Sequence, residues 1–286
     1  IFIAKPRGRY CSVFRIENFP QSALSRRATG DIVMQRPFSD WGGNIAAFAL
    51  VLIINALSNG LPLNGQTMPE ISAKYPSLFT PAGFTFSIWG VIYLGLLIFV
   101  IYQALPSERD NAAISRISRM FQLSCLANAA WIVVWHYDLL WLSLLIMLLL
   151  LASLVGIYRR LLGEIDQATL SQHLVMYLPF SLYTGWVTVA TIANVSVVQT
   201  ANGWDNVGLT AISWTLVKLA LAGAIGATVI SRVRDPVFVL VIAWAAYGIS
   251  VMQSATPAVY GGATALSLLA LMLAAYEGLS RLRQSA

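Results

Sequence analysis

Long apolar runs, separated by short polar or charged segments, recur along the chain from residue 43 to residue 276. Each approaches the roughly 20 residues that an α-helix needs to cross about 30 Å of hydrocarbon. The runs cover approximately Gly43–Leu61, Phe84–Ala104, Ile117–Trp135, Leu140–Tyr158, Leu174–Val198, Leu209–Ile230, Pro236–Gln253 and Ala258–Tyr276. Backbone N–H and C=O groups in hydrocarbon have no water to bond, so each run is expected to be helical. A link as short as His136–Asp138 forces its two flanking helices to run antiparallel. The pattern therefore predicts an all-α membrane protein with about eight transmembrane helices.

The polar segments between the runs are unequal. Of 18 basic residues, all but Lys74 and Lys218 lie in the N-terminal segment, in alternate loops or in the C-terminal tail. Arg109, Arg116 and Arg119 flank the second loop, Arg159 and Arg160 the fourth, Arg232 and Arg234 the sixth. Cation-rich loops stay on the cytoplasmic side of a membrane. Both termini are accordingly expected in the cytoplasm, with the chain crossing its membrane several times. The same placement accounts for the net charge of +6 through topology and anionic lipid, without nucleic acid. Composition agrees: 58% of residues are hydrophobic and 10% charged, whereas soluble domains carry about 25% charged residues.

Residues 1–40 form a basic segment with no apolar run, so a secretory signal peptide is not expected there. Met34 stands just before the first span and is the expected natural start. Residues 1–33 would then be an upstream extension or a disordered basic arm. Residues 62–82, PLNGQTMPEISAKYPSLFTPA, make a long proline-rich outer loop. A loop of this length is either a functional lid or an ordered connector. The two cysteines, Cys11 and Cys125, have neither disulfide nor metal-site spacing.

Enzymatic constellations are absent from the sequence: it has no phosphate-cradling glycine loop, no HExxH and no carboxylate pair within a span. The chain is read as a non-enzyme with no catalytic residue, no metal ligand set and no required cofactor. His136 and His173 are expected as polar tips at helix ends. Asn55, Asn128 and Asn194 fall inside spans, where an amide needs partners. They either bond between helices or line a polar seam of a ligand cavity. Of nine tryptophans, Trp41, Trp141 and Trp204 suit the aromatic belts at the membrane surfaces. Trp89, Trp131, Trp186, Trp214 and Trp244 lie deeper, where flat indole faces suit a planar guest or simple core packing. Lys218 lies within the sixth span, where a cation is a functional hypothesis by default. Its one acidic candidate partner, Glu277, sits nearer the cytoplasmic edge. Lys218 and Asn55 are therefore candidates for a polar core or transport path.

Three blocks resemble the tryptophan-rich sensory protein (TspO/MBR translocator) family. TPAGFTFSIWGVIY, residues 80–93, resembles the family's opening of helix 2, with Pro81, Trp89 and Tyr93 in place. NAAWIVVW, residues 128–135, matches the Asn-x-x-Trp of helix 3 with Asn128 and Trp131. WVTVATIAN, residues 186–194, matches the Trp-to-Asn spacing of helix 5 with Trp186 and Asn194. The resemblance covers residues 41–200 as a five-helix bundle. It leaves residues 201–286 as three further helices with a short basic tail, as in a longer bacterial branch of the family. It implies binding of a porphyrin, a haem-like tetrapyrrole or a sterol in the bundle, in a sensing or transport role, together with lipid contact and homodimers. It implies Trp89, Tyr93, Asn128, Trp131, Trp186 and Asn194 as ligand-binding residues. The alternative reading is a secondary transporter of a small organic ion that uses Lys218.

Overall fold

The computed structural model describes residues 24–26, 32–34, 36–61, 63–66, 68–165, 168–204 and 206–285. Cys11 and most of the expected basic arm, residues 1–33, lie outside them. The described part of that arm is a small antiparallel hairpin, β1 (Leu24–Arg26) against β2 (Ile32–Met34), with Leu24 opposite Met34. Everything after it is helical. The helices are α1 (Phe38–Gly60), α2 (Met68–Lys74), α3 (Ile88–Ala104), α4 (Ala112–His136), α5 (Leu140–Leu162), α6 (Leu170–Gln172), α7 (Leu178–Ala201), α8 (Ala211–Val233), α9 (Pro236–Met252) and α10 (Pro257–Ser285). A π-helical turn, His173–Tyr177, joins α6 to α7.

Among the described residues, seven helices are long and apolar enough to cross a membrane. The eighth apolar helix, α9, has only 17 residues, a rise of about 25 Å at the lower limit for a span. The eight expected spans thus appear as seven full-length helices and one short one. Most of their buried residues form one core that runs from Phe48 in α1 to Ala263 in α10, and Val239, Ala243, Ala270 and Ala274 form a second small cluster between α9 and α10. Helix α7 lies at its centre. It packs on α3 through Phe180 and Phe99, with ring centroids 5.1 Å apart, and on α9 where Gly185 faces Val241 and the carbonyl of Phe238.

The two ends of the bundle differ. The basic loops meet at one end, where several cations find partners that hold helix termini. Arg116 pairs with Glu164. Arg234 and Arg281 both pair with Glu277, at 3.2 and 3.3 Å. Asp235 caps the start of α9 by accepting from the Val237 and Phe238 amides. Its second oxygen accepts from the hydroxyls of Tyr158 and Ser181, which draws α5, α7 and α9 together.

Arg36 is the most deeply held of these cations. Its guanidinium is buried and donates to both oxygens of Asp40, in the first turn of α1, at 3.0 and 3.3 Å. It also donates to the Gln103 side-chain oxygen at 2.6 Å and to the Gln103 carbonyl at 3.0 Å. Gln103 donates in turn to the Trp41 carbonyl. Asn44 bridges Gln103 and Ser118. One buried polar network thereby locks α1, α3 and α4 at the basic end.

At the opposite end the outer loop is an ordered connector. Ile71 and Phe79 are buried under it. Lys74 pairs with Asp138 at 2.7 Å, and Asn64 donates to the His136 carbonyl at 3.0 Å. Asp138 holds the tight turn between α4 and α5 at a positive φ of 56°, which a short polar side chain tolerates. Burial, and then the Asp138 carboxylate, push the Tyr75 phenol up from its ordinary value. Trp141 and Trp204 meet at 5.7 Å as the expected belt at this end.

Removing one partner of a buried ion pair leaves the other charge desolvated. Asp40→Ala should therefore lower unfolding stability in detergent by about 3 kcal/mol. Lys74→Ala, in a half-exposed pair, should cost no more than about 1 kcal/mol. Comparable losses in the two variants would show that the Arg36 network is not the anchor of α1.

Candidate functional site

Polar residues inside the apolar spans converge on Asn128. Its Nδ2 donates to the Tyr183 hydroxyl at 2.9 Å. Its Oδ1 accepts from Asn55 Nδ2 at 3.3 Å and lies 3.4 Å from the Tyr93 hydroxyl. That hydroxyl carries one proton and is closer to Asn55 Oδ1, at 3.0 Å. Asn55 completes its bonding by donating to the Val51 carbonyl one turn back. Four side chains from α1, α3, α4 and α7 thus satisfy one another at mid-bundle, and each amide finds the partners that hydrocarbon requires.

An aromatic box surrounds this seam. Trp89 stacks on Tyr93 at 5.3 Å. It meets Tyr183 edge-on at 5.8 Å and Trp186 edge-on at 6.2 Å. Phe86 covers Trp186 from the other side at 5.9 Å. Trp131 stacks on Trp135 at 5.6 Å. The indole faces that would suit a flat guest are therefore covered by neighbouring rings in this conformation. The N–H edges of Trp131 and Trp186 make no hydrogen bond: both Nε1 atoms are buried without a partner, as is Asn194 Nδ2.

The two indole donors are level with each other. Helices α4 and α7 each run antiparallel to α5 and so parallel to one another. Trp131 follows Asn128 by three residues, and Trp186 follows Tyr183 by three. Both therefore sit about one turn, roughly 4.5 Å, beyond the Asn128–Tyr183 bond. Two buried donors on parallel helices are thus left without an acceptor at about the same depth.

Of the residues expected at the site, Trp89, Tyr93, Asn128, Trp186 and the neighbouring Asn55 come together. Trp131 lies one turn outward with its ring on Trp135. Asn194 stands apart from the seam, two turns further along α7, where its Oδ1 accepts from Ser143 of α5 at 3.3 Å. Tyr183 is the member that the sequence reading missed; the signal was a tyrosine three residues before Trp186 on a buried face.

The other expected positions are resolved by the structure. Lys218 is not matched with its distant candidate partner Glu277, which belongs to Arg234 and Arg281 at the basic end. Lys218 lies two turns inside α8 from its outer end, and its ammonium reaches back to Gln199 Oε1 at 2.6 Å. That is snorkelling toward the interface, driven by the cost of a cation in hydrocarbon. Nor is His136 an exposed tip. It is fully buried, its Nδ1 donates to the Ile132 carbonyl at 2.7 Å, and its Nε2 has no partner. Trp214, expected to lie deep, is in the first turn of α8 and donates to the Val207 carbonyl at 3.1 Å.

A cavity of about 360 Å³ lies away from the seam, at the basic end, lined by Asn111, Arg116, Glu164, Gln172, Met176 and Tyr177. It opens onto polar loops and is not among the indoles. Among the described residues no group of His, Cys, Asp and Glu is placed to hold a metal ion.

Because Asn128 serves three neighbours, Asn128→Leu should cost about 1–2 kcal/mol in equilibrium unfolding in mixed micelles. Asn194→Leu removes a donor that has no acceptor, so it should cost under about 0.5 kcal/mol. Equal losses would mean that the bonding pattern at the two asparagines is not as described.

A family model described as TSPO-like protein matches residues 41–276. The match continues past residue 200, where the sequence resemblance stopped, and takes in α8, α9 and most of α10. No curated protein and no solved structure matches the chain.

Proposed function

The chain belongs to the TSPO-like protein family, and from that premise we propose that it binds a hydrophobic ligand bearing acceptor oxygens between α3, α4 and α7. The observation that carries this reading is the pair of buried, unpartnered donors Trp131 Nε1 and Trp186 Nε1. An unmade hydrogen bond at a buried donor costs about 1–3 kcal/mol. A guest that supplies carbonyl or carboxylate oxygens there recovers that free energy, and one without them does not. A tetrapyrrole with acidic side chains has this chemistry, and so does an oxygenated sterol-like molecule. Recognition works through the indole edges, because the faces are covered by Tyr93, Phe86 and Trp135. Entry of a flat ligand then requires the ring of Phe86 or Tyr93 to move aside.

The role is binding for sensing or transport, with no chemical step. The gathering of basic loops at one end supports a topology with both termini in the cytoplasm, in a bacterial inner membrane. The ion-transport alternative lacks its proposed charge pair, since Glu277 is held by two arginines and Lys218 by Gln199.

The test uses purified full-length protein in detergent and two porphyrin probes, one with propionate groups and one whose substituents carry no oxygen. The propionate porphyrin should bind more tightly by roughly tenfold or more, one buried hydrogen bond being worth about that factor. Trp131→Phe and Trp186→Phe, which keep an aromatic ring and remove the donor, should each weaken it by about the same factor. Affinity unchanged in both variants would rule the reading out.

A further inference from the structure

We infer that α9 positions the candidate site, by holding the non-helical turn before α3 against Trp186. Residues Gly83–Ser87 form a 3-10 turn leading into α3. This turn lies alongside the middle of α9, not at its end. The Trp244 indole, at the centre of α9, donates to the Thr85 carbonyl at 2.9 Å. The Ala82 amide donates to the Gly248 carbonyl one turn further out, at 3.0 Å. Irregular backbone at membrane depth persists only where protein satisfies it, and here α9 satisfies it.

The fit is close as well as polar. Thr85 is fully buried, and a Cβ placed on Gly248 would come within 2.0 Å of its Oγ1 and 2.9 Å of its Cγ2. Gly248 is the notch that lets Thr85 approach α9. Phe84, just before Thr85, packs edge-on against Trp244 at 5.5 Å. Phe86, just after it, packs edge-on against Trp186 at 5.9 Å. One face of the turn is therefore fastened to α9, and the other packs against Trp186, whose indole donor is unpaired. Trp244 and Gly248 act through the turn and are positioning residues. Their effect on a ligand rests on the binding reading above; their hold on the turn does not.

The experiment separates those two layers in full-length protein. Hydrogen exchange of peptides covering residues 80–88, without ligand, reads the hold on the turn. Affinity for the propionate porphyrin, followed by its own absorbance, reads the consequence at the site. Trp244→Phe keeps the ring beside Phe84 and removes the donor. Gly248→Ala drives Thr85 off the helix. Both should speed exchange at residues 82–88 by about tenfold, the scale of one buried hydrogen bond, and leave α4 and α5 peptides unchanged. Both should also change porphyrin affinity severalfold. Adding Thr85→Ala to Gly248→Ala removes the clashing Oγ1 and Cγ2, and should return exchange toward the parent value.

Unchanged exchange in both single variants would overturn the inference outright. Faster exchange with parent affinity would overturn the positioning role. Should the parent protein fail to bind the probe, the binding reading falls and takes the positioning role with it. Exchange would then still decide whether α9 holds the turn.

Discussion

Hydrocarbon offers no hydrogen bonds, so every polar atom placed inside this bundle must be answered by another part of the chain. That constraint explains where the helices join. At the basic end, Arg36 cannot be solvated once buried, and its donors are taken by Asp40 and Gln103. At mid-bundle, Asn55, Tyr93, Asn128 and Tyr183 close a second set of bonds across four helices. Apolar packing between helices has little directional preference in lipid. These two knots fix the rotation of α1, α3, α4 and α7 in a way that leucine and isoleucine contacts do not. Against such pairing, a donor left without an acceptor is conspicuous, as at Trp131 and Trp186 on either side of the mid-bundle seam.

Much of the architecture was legible because lipid imposes a simple rule on sequence. Apolar run length gave the spans, and the alternating arginines gave a bundle with one basic end. Partner choice was harder to read. Arg36 looked like one more topology cation, since nothing in the sequence says that Asp40, one helical turn later, will fold with it against Gln103. Asn44 and Gln103 were overlooked because they lie near span ends, where a polar residue normally faces water. Tyr183 was missed for a related reason: a tyrosine within a span reads as apolar packing, and the hydroxyl stripe of Ser181, Thr184, Thr188 and Thr191 does not say that its hydroxyl meets Asn128. The Cα position of Lys218 alone does not say where its charge lies. A long aliphatic stem lets the ammonium lie well away from its backbone, and Gln199 was within its reach.

The site itself was half legible. Spacing placed Trp89, Tyr93, Asn128 and Trp186 on helices that do meet, but it could not show how their rings share one another's faces. Four aromatic rings around one amide bury more apolar surface by packing together than by standing apart for a guest. The leftover functionality is then the N–H edges, which no residue count reveals.

The last three helices belong to the same core as the first five, and α9 shows why its length can be unusual. Mismatch between helix length and bilayer thickness costs free energy only where lipid touches the helix. Helix α9 is covered along much of its length: Phe238, Val241, Ile242, Ala245, Ala246 and Ile249 are all buried. A helix shielded in this way can be short without thinning the bilayer around it. Its many small residues also let neighbours approach closely, with Gly248 against Thr85 and Ala222 of α8 buried nearby. Shielding works in the other direction too. The turn before α3 breaks helical hydrogen bonding at depth, which would be untenable against lipid. It is tolerated because a short, protein-enclosed helix with a free indole N–H and an accessible carbonyl lies beside it.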